Sequence, residues 1–270
     1  TSLPTNFKES ETIFMTLLKE NIYTQLIYYT LTFVIVAITI SKGVKKGIEK
    51  MNNILMPALV IILLVLLAYA VQLDGFMKAV NFMFYPNFEK FHSSSIIIAV
   101  GHAFFTLSIG MTAILTYAAS LDKDVNIVKA SIWVIVMDTS IAILAGLIIF
   151  SITFTAGQEP SKGPGLVFIT LPAIFYEMGT IGIYLSLLFF IAVLFAAITS
   201  AVSILEPAVM YLKKKKNIER KTATYSISFF VYIVGIFVLL SNTNEFSTAL
   251  TFGSKNLFDW FDFISSAILL

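Results

Sequence analysis

Three groups of residues in this chain have types and spacings that could do chemistry. Asp138 stands among apolar neighbours in SIWVIVMDTSIAILAGLIIF. A carboxylate at the centre of a membrane helix costs about 2.5–3.5 kcal/mol on insertion scales. It reads as a cation or proton ligand, the alternative being a helix–helix hydrogen bond with the acid protonated. The second group is FAAITSAVSILEP, residues 195–207, where Thr199 and Ser200 follow Ala196 by three and four positions. On a helix that spacing puts both hydroxyls on the face of the Ala196 carbonyl. Three hard oxygens in one place suit a small hard cation such as Na⁺. The plainer reading is that each hydroxyl bonds back to its own turn. Ala196, Ala197 and Ala201 would let another helix come close. The third group is GHAFFTLSIGMTAILTYAAS, residues 101–120, with Thr106, Ser108 and Gly110 near its centre. Glycine weakens a helix by about 1 kcal/mol relative to alanine. A broken membrane helix is tolerated only where its freed backbone lies within protein or lines a cavity. Such a break offers carbonyls to a cation and a helix N-terminus to an anionic group; the alternative is a continuous helix with small packing residues.

The elements that must hold these groups follow from composition. Of 270 residues, 58% are hydrophobic and 13% charged, and a soluble domain carries roughly twice that share of charge. The chain is therefore read as an all-α integral membrane protein. A net charge of +2 shows no global field for nucleic acid. With no cysteine there is no disulfide or thiolate chemistry, and His92 and His102 are too few to build a metal site alone. Apolar runs long enough to span cover about 22–40, 53–72, 94–119, 128–154, 182–211 and 223–241, and a seventh begins near Leu257. Barrel strands would be near ten residues and alternating. The chain opens on TSLPTNFKESE, without initiator Met or signal sequence, and closes inside an apolar run. That pattern predicts a piece of a longer polypeptide.

Lysines and arginines orient the spans. Loop 41–50 carries Lys42, Lys45, Lys46 and Lys50; loop 120–129 carries Lys123 and Lys129; loop 212–222 carries Lys213 to Lys216, Arg220 and Lys221. These are 12 of the 18 basic residues, all in alternate loops. The positive-inside rule places the three loops in the cytoplasm of a multi-pass plasma-membrane protein. Loop 155–181 contains GPGLVFITLPAIF, too short to span and too apolar for a solvated loop. It predicts an extracellular lid segment at about 163–178, or else an amphipathic surface helix.

GHAFFTLSIGMTAILTYAA, GPGLVFITLPAIF and FAAITSAVSILEP, in this order and spacing, resemble the neurotransmitter:sodium symporter family, especially its bacterial amino-acid transporters. SKGVKKGIEKMNNILMP resembles the family's loop between the fourth and fifth helices, and LFDWFDFISSAILL the start of its tenth. The resemblance implies an inverted-repeat transporter bundle with an unwound sixth helix, of which this chain would be a fragment lacking the first three helices. It implies substrate binding at Phe105 (also an aromatic gate), Thr106, Ser108, Met111, Ser200 and Ile204. It implies a first sodium at Thr106 and at Asp138, where the family usually has asparagine, and a second at Ala196, Thr199 and Ser200. Each of the two Na⁺ sites would be completed by the missing first helix. Asp262 would be the acid of the outer gate. The function implied is sodium-coupled symport of a small-molecule amino acid, neutral and hydrophobic given Phe105, Met111 and Ile204, across a lipid bilayer.

Ala142 and His102 depart from the polar residues of chloride-dependent relatives, and Asp138 supplies a negative charge nearby, so the implied transport is chloride-independent. The lysines at 213–216 stand where many members place an inner-gate acid. Glu206 either takes that role or pairs with those lysines. A proton-coupled permease with Asp138 as carrier, and a non-transporting amino-acid sensor, are the alternatives. No nucleophile is oriented beside a base, which argues against an enzyme, and no span carries a polar stripe suited to an open pore.

Overall fold

The structure is a computed structural model that describes residues 4, 6–86, 88, 91–109, 112–121, 124–158, 165–253 and 255–265. In chain order it forms α1 (Phe7–Lys19), α2 (Ile22–Ser41), a π-helical turn (Val44–Glu49), α3 (Lys50–Ala70), α4 (Phe76–Phe84), α5 (Ser93–Thr106), α6 (Ala113–Ala118) and α7 (Ile127–Thr155). A second π-helical turn (Leu166–Thr170) then leads into α8 (Leu171–Glu177), α9 (Gly179–Lys215) and α10 (Arg220–Leu240). A two-residue antiparallel hairpin follows, β1 (Thr251–Phe252) with β2 (Lys255–Asn256), in register Thr251 to Asn256 and Phe252 to Lys255, and then α11 (Leu257–Phe263). By length and composition, Ile22–Ser41, Val44–Ala70, Ile127–Thr155, Gly179–Lys215 and Arg220–Leu240 could each cross a membrane. The run at 94–119 forms two shorter helices, α5 and α6, rather than one.

The helices group into two compact units. The first comprises Thr1–Thr16, Leu55–Phe91 and Ile132–Ala196. Its core repeats at helical spacing: Leu59, Leu63, Leu66 and Ala70 form one stripe of α3, and Leu185, Phe189 and Ala192 one stripe of α9. Ile148 and Ile152 of α7 and Leu171, Ile174 and Phe175 of α8 close around them. Lipid is as apolar as leucine, so close packing rather than escape from water selects these contacts. The start of α4 is held to the end of α7 where the Gly75 N–H donates to Thr155 Oγ1 at 3.0 Å.

The second unit comprises Leu17–Ile54, His92–Ser131 and Ala197–Leu270. The Gln25 side chain donates to the Leu17 and Leu18 carbonyls at 2.6 and 3.0 Å, satisfying the C-terminal turn of α1. α2 and α10 then lie against each other. Tyr29 stacks on Tyr232 with ring centroids 5.2 Å apart, Phe33 meets the Tyr232 ring edge-on, and the Thr30 and Tyr232 hydroxyls are 2.7 Å apart. Gly235 permits this approach, since a Cβ there would overlap the Tyr29 hydroxyl. Beneath, Val36 and Ile40 of α2, Val202, Leu205 and Val209 of α9 and Ala223 of α10 make a second core. α5 has no buried residue among those described.

Candidate substrate and cation site

The break between α5 and α6 is built by a specific helix ending. Leu107 is the last residue in helical conformation, with φ −78° and ψ −1°. Ser108 follows in the left-handed region at φ 53°. The Ser108 N–H donates to the Phe105 carbonyl at 3.0 Å, and the Ile109 N–H reaches back to the Phe104 carbonyl at 3.1 Å. This pair of bonds is the Schellman ending, which normally has glycine at the left-handed position. A serine there costs about 1–2 kcal/mol in backbone strain. Thr112, also left-handed at φ 58°, restarts the chain into α6. The helix therefore stops and restarts within one apolar run. Phe105 and Thr106 lie on the last turn of α5, both exposed, and Ser108 is half-buried in the break itself. Met111 and Gly110 lie outside the described residues.

On α9, Ala196, Thr199 and Ser200 lie within about one turn. Thr199 is buried at 3% exposure, Ala196 is half-buried, and Ser200 and Ile204 face outward. Thr199 and Ser200 thus straddle the edge where packed protein meets open surface. Asp138 is half-buried on α7, in the first unit, and Asp262 is exposed on α11. Among the described residues there is no cluster of three or more acidic or histidine side chains suited to a metal ion.

Two contacts of α9 were not legible in the sequence. The first is a hydroxyl chain. Tyr117 of α6 donates its hydroxyl to Ser203 Oγ at 3.1 Å, and Ser203 Oγ donates to the Thr199 carbonyl at 3.0 Å. The four-residue spacing of Thr199 and Ser203 permits that bond, but nothing in the sequence singled out Tyr117 as its partner. The second concerns Glu206. It is fully buried, and its Oε2 lies 2.7 Å from an Arg220 guanidinium nitrogen. Arg220 Nε also donates to the Ile40 carbonyl at 2.9 Å. The ion pair of Glu206 is therefore with Arg220 and not with the exposed lysines at 213–216. Seclusion among Val202, Leu205 and Val209 explains the choice, because the guanidinium can satisfy a carboxylate and a carbonyl together from a rigid fork.

Comparisons with known proteins decide the class. Residues 16–260 match the model of the sodium:neurotransmitter symporter family. The chain belongs to that family. The chain is 36% identical over 91% of its length to YhdH of Bacillus subtilis, described as a sodium-dependent transporter, and 34% identical over 91% of its length to a sodium-dependent transporter of Haemophilus influenzae. It spans 53% of each of those proteins, about half their length. The crystal structure of MhsT in complex with L-phenylalanine superposes with a TM-score of 0.85 at 34% identity, covering all of this chain and 60% of that one. The chain's fold is accordingly the all-α multi-pass membrane bundle of this transporter family.

Proposed function

We propose that this symporter chain carries part of the substrate and ion machinery of a sodium-coupled transporter of neutral hydrophobic amino acids that works without chloride. The observation that carries the reading is the helix ending at Ser108. A strained serine at the middle of an apolar run persists where the surrounding structure holds it, and such strain clusters at ligand clamps and switch regions. We assign substrate contacts to Phe105, Thr106 and Ser108 at the break and, by the family resemblance, to Met111, whose flexible thioether adapts to varied shapes. Ser200 and Ile204 complete the substrate surface from α9. Phe105, Met111 and Ile204 favour an apolar side chain, and the L-phenylalanine bound by MhsT supports that class.

Oxygen chemistry supports sodium as the coupled ion. Thr106 offers a carbonyl and a hydroxyl, Asp138 a carboxylate, and Ala196, Thr199 and Ser200 a carbonyl and two hydroxyls. Hard oxygens of this kind suit a hard cation that sheds most of its water, and an anionic ligand does for a bound Na⁺ what chloride would do. Asp262 serves the outer gate with Phe105. Loops 41–50, 120–129 and 212–222 face the cytoplasm.

Binding of labelled amino acids to the full-length protein tests the ion requirements. Neutral hydrophobic amino acids should bind only when Na⁺ replaces choline, and equally in chloride and gluconate. In Asp138→Asn, Na⁺-dependent binding should weaken equally in chloride and gluconate, because the negative charge has been removed and Ala142 offers chloride no polar ligand. Chloride dependence of the unsubstituted protein would contradict the assignment to Asp138. One observation favours a second reading: a carboxyl at 138, unlike an amide, can carry a proton. Binding indifferent to Na⁺ but sensitive to a proton gradient would support a proton-coupled permease.

A further inference from the structure

We propose that Tyr117 and Ser203 are positioning residues that set the Na⁺ affinity of the Thr199 turn and link it to the segment bearing the α5–α6 break; this rests on the sodium reading of Ala196, Thr199 and Ser200. The argument starts from Pro207. Proline has no N–H, so the Ser203 carbonyl, four residues earlier in α9, loses its helical hydrogen bond and meets the pyrrolidine ring. The turn from Ser203 to Pro207 is thereby loosened directly below Thr199. The Ser203 hydroxyl donates to the Thr199 carbonyl four residues back, a second link across the turn just above that gap. Without an added constraint, a turn loosened by the proline would let the Thr199 and Ser200 hydroxyls wander relative to the Ala196 carbonyl.

Tyr117 counters that softness from outside the helix. It lies on α6, five residues after the left-handed Thr112 that restarts the chain. Its hydroxyl donates to Ser203 Oγ at 3.1 Å. That bond orients the Ser203 proton toward the Thr199 carbonyl, so the three groups form one directed chain: Tyr117 O–H to Ser203 O–H to Thr199 C=O. Both hydroxyls are partly buried and Thr199 is 3% exposed. At low local dielectric such a chain is stronger than its links taken separately. Any shift of α6 that follows substrate engagement at the break pulls on the Ser203 hydroxyl, and so on the backbone that carries the Thr199 ligand. Neither Tyr117 nor Ser203 touches the ion. They act through Thr199.

The test uses the full-length protein in proteoliposomes and reads the Na⁺ concentration giving half-maximal amino-acid uptake. Tyr117→Phe and Ser203→Ala should each raise it about 3- to 10-fold, the loss expected for one partly buried hydrogen bond. The amino-acid KM at saturating Na⁺ should stay unchanged. Ser203→Thr, which keeps the hydroxyl, should restore the unsubstituted value. The double variant should be no worse than the poorer single, because both break the same chain. Na⁺-dependent uptake with unshifted half-saturation in Ser203→Ala, or additive shifts in the double variant, would overturn the link while leaving symport standing. Uptake by the unsubstituted protein that ignores Na⁺ would overturn both. Should Ser203→Ala elute abnormally in detergent, Tyr117→Phe, which removes one oxygen and keeps the ring, decides the question by the same readout.

Discussion

Ser108 holds the left-handed conformation that a Schellman ending reserves for glycine, and it does so next to Phe105 and Thr106. Glycine would relieve the strain. Ser108→Gly should therefore stabilise the folded protein by about 1 kcal/mol, net of glycine's larger freedom in the unfolded chain. Thermal unfolding in detergent measures this, and a lower melting temperature would show that the serine side chain does more for the fold than its backbone costs. Ser108→Val should do the opposite, since a β-branched residue tolerates positive φ poorly. At this scale the sequence was legible where chemistry is local. Thr106, Ser108 and Gly110 left a break and a continuous helix both open, and the backbone at Ser108 takes the break; the spacing of Ala196, Thr199 and Ser200 on one helix is a local pattern of the same kind. Partners far apart in sequence were not legible. Tyr117 and Ser203 are separated by 86 positions, and no local pattern says which tyrosine meets which serine.

At the scale of elements, the second core depends on Arg220, which joins three helices. It opens α10, pairs with Glu206 of α9 and holds the Ile40 carbonyl near the end of α2. Glu206 sits at 0% exposure. Removing one member of a buried pair leaves an uncompensated charge, which costs about 3–5 kcal/mol. Arg220→Met should show that loss in thermal unfolding, and Glu206→Gln combined with Arg220→Met should recover part of it, because no buried charge is then stranded. Equal stability of the single and double variants would mean that Arg220 acts mainly through the Ile40 carbonyl. The helices themselves were readable from runs of apolar residues, and α2, α3, α7, α9 and α10 follow such runs. The π-helical turns and the 251–256 hairpin were not, because their cause is packing around them and not periodicity. From sequence, Glu206 reads either as an inner-gate acid or as the partner of the lysines 213–216, and neither reading names Arg220. The structure pairs the buried carboxylate with Arg220 and not with the exposed lysines.

At the scale of the molecule, membership of the sodium:neurotransmitter symporter family places these residues in a bundle whose architecture is shared with MhsT over all of this chain. The proposed chemistry has a thermodynamic consequence. If a bound Na⁺ and the amino acid stabilise the same arrangement of the break and the α9 turn, each raises the other's affinity by the same factor. The family was readable because its motifs are long and keep their order. The choice of ion and substrate rests on a handful of side chains. The most direct measurement is accumulation of a labelled neutral hydrophobic amino acid by the full-length protein in proteoliposomes, with Na⁺ outside, Na⁺ on both sides, or choline throughout. The account predicts accumulation above equilibrium only with an inward Na⁺ gradient. Accumulation that is unchanged in choline would contradict it and assign the coupling to another ion.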